Sequence, residues 1–285
     1  MFKRTLTALL LIPPVVYLIG WSPEWLFVLA VATAVVLALR EYFALCRAMG
    51  FRVLSWAGYG VSIALCCAQA SPWRGRFWIL FMIVVPLLIV PTLALRRSTD
   101  LKEYLSAISV TIFGILYIGL TLSFLISIRF FPEYVTTGSL TQTGEVKLDV
   151  GPICLLLLFL VIWAGDICAY LVGRSLGRTP FFARISPRKT WEGALAGLAG
   201  SLLAAWAFVH FWARVDLKSV LLIAGWIALA GQVGDLVESA IKRGANQKDS
   251  GTLLPGHGGF LDRIDSLLFG APALWLAMFV MGSLS

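Results

Sequence analysis

Charged residues are scarce in this chain. Only 13% of its 285 residues are Asp, Glu, Lys or Arg, whereas 59% are hydrophobic. A soluble core does not need so much apolar surface, and no stretch between the apolar runs is long enough to fold alone. The composition therefore argues against a soluble globular protein. It predicts a polytopic membrane protein with one transmembrane domain over residues 1–285.

Cysteine and histidine are also few, with five and two residues. The cysteines fall in or beside apolar stretches without paired spacing, which argues against a disulfide framework or a zinc site. His210 lies in an apolar run among aromatic residues and is more consistent with a packing role. His257 lies between glycines in a charged segment, which makes it a candidate for contacting phosphate.

Apolar runs account for most of the chain. A helix needs about 20 apolar residues to cross a bilayer. Nine runs have roughly suitable length, and they predict an all-α polytopic bundle of about nine transmembrane helices: 5–20, 24–39, 53–70, 77–95, 105–128, 153–173, 193–213, 218–241 and 266–283. The first two are short enough to form a re-entrant pair instead. No small-residue cleavage site follows the first, so we expect an uncleaved span.

The basic residues are distributed unevenly between the two sides of the predicted bundle. With the N-terminus in the cytoplasm, 17 of the 23 Lys and Arg residues fall in inside segments and 6 fall outside. This positive-inside bias predicts that the loops 174–192 and 242–265 face the cytoplasm. The net charge of +8 sits in short loops, which favours anionic lipids or substrates as partners over nucleic acid.

Polar residues share one face of the run that ends in 231–243, GQVGDLVESAIKR. Asp235, Glu238, Ser239 and Lys242 are spaced by three or four positions, as on one helix face. A carboxylate at membrane depth is costly unless it meets a partner, water or a metal. The alternative is that these acids are hydrated at the helix end or paired with basic neighbours. Asp166 is a further intramembrane acid. We expect it either to contact a substrate or a ligand water, or to pair with a basic residue inside the bundle.

The loop 242–265 mixes cations, carboxylates and glycines. Glycines let backbone N–H groups approach an anion, and Lys and Arg neutralise phosphate charge. Asp249, Asp262 and Asp265 offer hard oxygen ligands that suit the Mg²⁺ of a nucleoside triphosphate. A lipid-headgroup anchor is the alternative for a basic loop, but an anchor needs no carboxylates. The mixture favours a site for phosphate and metal.

The other cytoplasmic loop has a similar composition. Residues 184–193, RISPRKTWEG, offer three cations, two hydroxyls and a carboxylate before an apolar run. We predict Ser186 as the N-cap and Pro187 as the first residue of the next helix, a position at which anions bind favourably. Plain capping with positive-inside charge is the alternative.

Residues 239–265, SAIKRGANQKDSGTLLPGHGGFLDRID, resemble the signature of the phosphatidate cytidylyltransferases, or CDP-diacylglycerol synthases. That signature has a Ser, Lys-Arg, a Lys-Asp six residues after the Lys, a Pro/Gly, and then His-Gly-Gly-apolar-x-Asp-Arg-apolar-Asp. This chain matches it in residue type and spacing, and the segments around Asp166 and Ser186–Gly193 are also similar. The resemblance implies a Mg²⁺-dependent nucleotidyltransferase of phospholipid biosynthesis. It would transfer CMP from CTP to phosphatidic acid, giving CDP-diacylglycerol and pyrophosphate, in a bacterial inner (plasma) membrane with its active site facing the cytoplasm.

The resemblance also implies roles for particular residues. Asp235 and Asp262 would hold Mg²⁺, with Asp249 and Asp265 completing the predicted metal set. The predicted catalytic residues are these first two aspartates with Lys242, Arg243, Lys248, Arg263 and His257, and the predicted substrate-binding residues are Asp166, Ser186, Arg188, Lys189, Ser239, Gly258 and Gly259. The spans in 1–128 would support the site, and 153–285 would carry it. A second, monovalent cation and a homodimer stay open.

Three other functions are weighed against this one. Intramembrane acids would suit the ion coupling of a transporter. Here, however, the charges gather at one end of the predicted bundle and not at the midplane of two matching halves. A CDP-alcohol phosphatidyltransferase would need a D-G-x-x-A-R element, which the chain lacks. A CTP-dependent polyprenol kinase stays open on fold-level similarity, but it lacks the His-Gly-Gly match.

Overall fold

The computed structural model describes residues 12–71, 78–95, 101–131, 134–136, 147–211, 216–253 and 258–284. Helices dominate this part of the chain. They are α1 (12–20), α2 (Glu24–Ala48), α3 (Ser55–Gln69), α4 (Trp78–Leu95), α5 (Leu101–Gly114), a π-helical turn (Ile115–Leu120), α6 (Thr121–Arg129), α7 (Val150–Leu176), α8 (Trp191–Phe211), α9 (Leu217–Gly244) and α10 (Asp265–Leu284). The predicted all-α polytopic fold is confirmed.

Each predicted apolar run coincides with a helix, and α5, the π-helical turn and α6 form one continuous helix. Within the described residues, five helices are long and apolar enough to cross a membrane: Glu24–Ala48, Leu101–Arg129, Val150–Leu176, Trp191–Phe211 and Leu217–Gly244. Leu80–Leu95 and Asp265–Val280 are shorter apolar helices. The start of the predicted first span lies outside the described residues. A single domain over 1–285 stays a prediction.

In the part of the chain that the structure describes, two short antiparallel strand pairs interrupt the helical pattern. Strand β1 (Tyr134–Thr136) pairs with β2 (Lys147–Asp149), and β3 (Pro180–Phe182) pairs with β4 (Ser186–Thr190). The second hairpin contradicts the predicted helix start at Ser186 and Pro187, because α8 begins only at Trp191. Proline suits an edge strand as well as the first helical turn, and here pairing with β3 decides the conformation.

The β3–β4 hairpin is fastened to the start of α8. Thr190 Oγ1 accepts the backbone N–H of Gly193 at 3.2 Å, and so caps the helix. The Glu192 carboxylate accepts the backbone N–H groups of Arg178 and Thr179, both at 3.2 Å. These bonds fix the loop 174–192 against the end of the bundle, which places Lys189 next to α9.

Glycines allow the helices that carry the polar residues to pack closely. A Cβ atom at Gly197 of α8 would lie 3.1 Å from the Ala169 side chain of α7 and 3.4 Å from the Gln232 amide of α9. A Cβ at Gly165 of α7 would lie 2.5 Å from Ser201 Oγ of α8. Small residues at these crossings let helix backbones approach, as is common in membrane bundles. The close approach of α7, α8 and α9 brings their polar faces together.

Candidate active site

Three carboxylates meet where α9 and α10 come together. Asp235 and Glu238 lie one turn apart on α9, and Asp265 is the first residue of α10. One oxygen from each lies within 4.8 Å of the others. Gly234 makes this possible, because a Cβ there would lie only 2.6 Å from the carbonyl oxygen of Asp265. We refer to Asp235, Glu238 and Asp265 as the acid cluster.

Lys242 joins the acid cluster to residues 245–264 between α9 and α10, which we call the signature loop. Its ammonium group pairs with Glu238 one turn earlier on α9 and donates to Asp262 Oδ1 at 2.5 Å. The Glu238 side chain is fully buried, and those of Lys242 and Asp262 are each only 11% exposed. These charges are therefore paired within the protein and largely shielded from solvent.

The Asp262 carboxylate is held from three sides. Besides Lys242, it accepts the backbone N–H of Gly259 at 2.7 Å and that of Ser250 at 3.0 Å, both on Oδ2. Burial opposes ionisation of Asp262, but the bond from Lys242 and the two N–H groups outweigh it, so the pKa of this carboxyl lies below its ordinary value. Asp262 is therefore an ionised carboxylate at neutral pH.

The loop 174–192 reaches the same site. Lys189 Nζ lies 2.7 Å from Asp235 Oδ1 and donates to Ser239 Oγ at 3.4 Å. Arg243 Nε donates to the carbonyl oxygen of Ile185 at 3.1 Å. The two basic loops that were singled out in the sequence are thus in contact with each other and with the polar face of α9.

The remaining predicted site residues are more peripheral. Asp166 on α7 lies within electrostatic range of Asp235 and Lys189. Ser186 is half-buried in β4, and Gly258 adopts a positive φ of 79° beside Asp262. Six predicted site residues are exposed: Asp166, Arg188, Arg243, Lys248, Asp249 and Arg263. His257 lies outside the described residues.

The acid cluster differs in membership from the predicted metal set. It contains Glu238, which the sequence placed on the polar face without a role, and it omits Asp262 and Asp249. Asp262 stands next to it, tied to Glu238 through Lys242, whereas Asp249 is exposed near Gly258. The assignment of Asp235 and Asp262 to a shared ion stays a prediction.

Glu41, near the end of α2, is a residue that was not singled out in the sequence. It is only 6% exposed, and its carboxylate accepts hydrogen bonds from Ser250, Phe260 and Leu261 of the signature loop. The predicted span ended at residue 39 and left Glu41 in a loop, whereas α2 continues to Ala48. The one feature of the sequence that could have indicated a buried Glu41 is the apolar stretch Tyr42–Cys46 that follows it directly.

The acid cluster has the composition of a divalent-cation site. Glu238 Oε1 is buried and receives no hydrogen bond from any residue that the structure describes. It faces two further carboxylates, and a cation bound among the three would neutralise their charge. Carboxylate oxygens are the ligands that Mg²⁺ prefers in proteins. The residues present therefore fit a magnesium ion.

Comparison with known proteins identifies the family. The model of the cytidylyltransferase family matches residues 2–281. The chain belongs to this family. It is 35% identical over 263 residues to phosphatidate cytidylyltransferase 5, chloroplastic, of Arabidopsis thaliana, a match that covers 86% of this chain and 64% of that one. This chain therefore spans less than two thirds of that relative.

Bacterial members of the cytidylyltransferase family are similar as well. The phosphatidate cytidylyltransferase of Synechocystis sp. is 35% identical over 267 residues, which cover 88% of this chain and 87% of that protein. The Bacillus subtilis protein of the same name is 48% identical over 123 residues, 42% of this chain and 45% of that protein. The family membership shown by these matches agrees with the resemblance seen in residues 239–265.

Proposed function

We propose that the protein is a phosphatidate cytidylyltransferase of phospholipid biosynthesis, which transfers CMP from CTP to phosphatidic acid. An oxygen of the lipid phosphate forms a bond to the α-phosphorus of CTP, and the bond to the β-phosphate breaks to release pyrophosphate. The observation that carries the proposal is the meeting of the acid cluster with Lys189, Lys242 and the signature loop at one end of the bundle.

The attacking group in this reaction is already an anion, so no strong general base is needed. The difficult task is to bring two polyanions together and to stabilise the departing pyrophosphate, which is chiefly a matter of positioning and electrostatics. Lys189 pairs with Asp235 and Lys242 pairs with Glu238, so both reach the cluster directly. Arg243 and Lys248 are exposed and are proposed to meet the phosphates of CTP or of the lipid headgroup.

Magnesium is the proposed cofactor. Asp235, Glu238 and Asp265 would hold the ion, with Asp262 next to them. When bound, it would neutralise phosphate charge and stabilise the leaving pyrophosphate. Lys242 then keeps Asp262 close to the cluster, and Lys189 keeps the loop 174–192 on Asp235. Asp166 lies within electrostatic range of both Asp235 and Lys189.

The proposed location is the inner (plasma) membrane of a bacterium, with the N-terminus and the active site on the cytoplasmic side. The bias of basic residues towards the loops 174–192 and 242–265 supports this orientation. CTP is a cytoplasmic nucleotide that does not cross a bilayer unaided, so the site must open on that face.

The reaction is tested with purified protein in detergent, phosphatidic acid, Mg²⁺ and CTP labelled at either the α- or the γ-phosphate. We expect α-label in the lipid phase, γ-label released as pyrophosphate, and loss of both on chelation of the metal. Recovery of γ-label in lipid would indicate a kinase. In sealed vesicles, we expect incorporation only where the cytoplasmic face is outward and meets the added CTP.

The transporter alternative is separated by the same preparation. Reconstituted vesicles that accumulate substrate without CTP, and that incorporate no α-label into lipid, would overturn the proposed function.

A further inference from the structure

Glu41 lies in the N-terminal half of the chain, yet each of its described hydrogen-bond donors lies in the signature loop. Glu41 Oε1 accepts the backbone N–H of Phe260 at 2.8 Å. Its Oε2 accepts the N–H of Leu261 at 2.8 Å and the hydroxyl of Ser250 at 2.7 Å. Both oxygens of one buried carboxylate are therefore used to hold two parts of the loop together.

The same two parts of the loop also hold Asp262. The backbone N–H groups of Ser250 and Gly259 donate to Asp262 Oδ2. Ser250 thus bonds Glu41 through its hydroxyl and Asp262 through its amide. The three consecutive N–H groups of residues 259–261 are likewise divided between the two carboxylates. Displacement of the loop from Glu41 would therefore move the donors that fix Asp262.

Two glycines of the loop are required for this arrangement. A Cβ atom at Gly251 would lie 2.6 Å from Glu41 Oε1. A Cβ at Gly259 would overlap Ser250 Oγ and Glu41 Oε2. Gly259, the second glycine of the His-Gly-Gly element, thus gives Glu41 room to approach the backbone. The sequence had instead suggested that this glycine contacts phosphate.

We propose that Glu41 is a positioning residue for the cytidylyl transfer: it anchors the signature loop so that Asp262 and Lys242 stand against the acid cluster. Glu41 touches no residue of that cluster in the described hydrogen bonds and acts through Ser250 and residues 259–261. The inference rests on the proposed function for its catalytic meaning, but the anchoring itself is a property of the protein alone.

The chemistry of the carboxylate makes Glu41→Gln the informative variant. A glutamine keeps the size of the side chain but offers one acceptor oxygen, and its NH₂ group must face Phe260 N–H or Leu261 N–H. A donor facing a donor in a buried site leaves both unsatisfied, which is costly. Glu24→Gln is the matched control, since Glu24 is exposed at the first turn of the same helix.

The first measurement is hydrogen exchange in metal-free protein, resolved to the Phe260 and Leu261 amides by fragmentation mass spectrometry. We expect exchange at these amides to be at least about tenfold faster in Glu41→Gln, with the helix amides still protected. Glu24→Gln should match the unsubstituted protein. Unchanged exchange at both amides would overturn the anchoring.

The second measurement is the Mg²⁺ concentration that half-saturates CMP transfer. We expect Glu41→Gln to raise it by about 10- to 100-fold, as for residues that orient metal ligands. A variant that is merely less well folded has fewer active molecules and leaves this concentration unchanged. An unchanged value in Glu41→Gln would overturn the positioning role even if activity fell.

A third variant covers the case in which Glu41→Gln does not fold. Ser250→Ala removes one of the three donors and keeps the carboxylate, so we expect smaller changes in the same direction in both measurements. No change in Ser250→Ala, with an unfolded Glu41→Gln, would assign Glu41 to folding alone and reject the proposal. An unsubstituted protein that transfers no CMP would overturn the proposed function, while the exchange measurement would still decide the anchoring.

Discussion

Lys242 is bonded to two carboxylates that come from different parts of the chain. Glu238 precedes it by one helical turn on α9, whereas Asp262 lies in the signature loop between α9 and α10. Removing one member of a buried ionic group leaves the others desolvated and unpaired, which destabilises a protein far more than losing a surface pair does. Lys242 therefore has a structural role in addition to the phosphate-binding role that the sequence predicts for it.

We expect Lys242→Met to abolish CMP transfer and to destabilise the metal-free protein by roughly 3–5 kcal/mol, because Glu238 and Asp262 lose their shared partner. The measurement is the apparent Tm in detergent with a chelator present, together with the transfer assay. Lys218→Met is the control, since Lys218 is exposed at the other end of α9. A Lys242→Met protein as stable as this control would show that the pairing contributes little.

The residues of the α9 face are evident from the sequence, but not all of the contacts around the site are. Helical spacing was enough to place Asp235, Glu238 and Lys242 on one face. It could not show that Glu41 bonds Ser250, because that contact joins positions 209 residues apart. Nor could it show that Lys189 reaches Asp235, which depends on how the β3–β4 hairpin folds. Such contacts are set by tertiary packing and not by local pattern.

Among the elements, α9 both provides a membrane-spanning segment and carries residues of the candidate site. Its first part is apolar and the whole helix is long enough to cross a membrane, whereas its last three turns carry Asp235, Glu238, Ser239 and Lys242. The hairpin before α8 was predicted wrongly as a helix start. Ser186, Pro187 and the following residues suit both states locally, and the pairing of β3 with β4 is a contact that local preference does not report.

The packing of α7, α8 and α9 depends on glycine at their crossing. We expect Gly197→Val to lower stability by about 1–3 kcal/mol more than a glycine-to-valine change at an open helical position. Its side chain must push against Ala169 and Gln232. Gly60→Val on α3 is the matched control, because a Cβ there meets nothing within 4 Å.

The difference in apparent Tm between the Gly197 and Gly60 variants isolates packing from helix propensity, which both substitutions alter alike. We also expect lower CMP transfer in Gly197→Val, since α8 follows the hairpin that carries Lys189 and α9 carries Asp235. Equal Tm values for the two variants would contradict the close packing of these helices.

In the molecule as a whole, the site is not confined to the C-terminal helices. Glu41 of α2 holds the loop between α9 and α10, so the ends of α2 and α9 lie on the same side of the bundle. That is the side to which the positive-inside rule assigns both basic loops. The N-terminal spans, for which the sequence predicted only a supporting role, thus supply a contact that shapes the site.

The central claim is that the carboxylates at the junction of α9 and α10 serve a Mg²⁺-dependent transfer of CMP to lipid. Asp235→Asn tests it most directly, because it removes a charge from the acid cluster and keeps the size of the side chain. Asp216→Asn is the matched control on the same helix: Asp216 is the exposed N-cap of α9, and asparagine caps a helix as well as aspartate does.

The decisive measurement is the rate at which α-labelled CTP labels phosphatidic acid across a range of Mg²⁺ concentrations, in purified protein carrying either substitution. We predict that Asp235→Asn lowers the rate by about 100-fold or more and that Asp216→Asn leaves it unchanged. An Asp235→Asn protein that labels lipid at the unsubstituted rate, with the same dependence on Mg²⁺, would contradict the account.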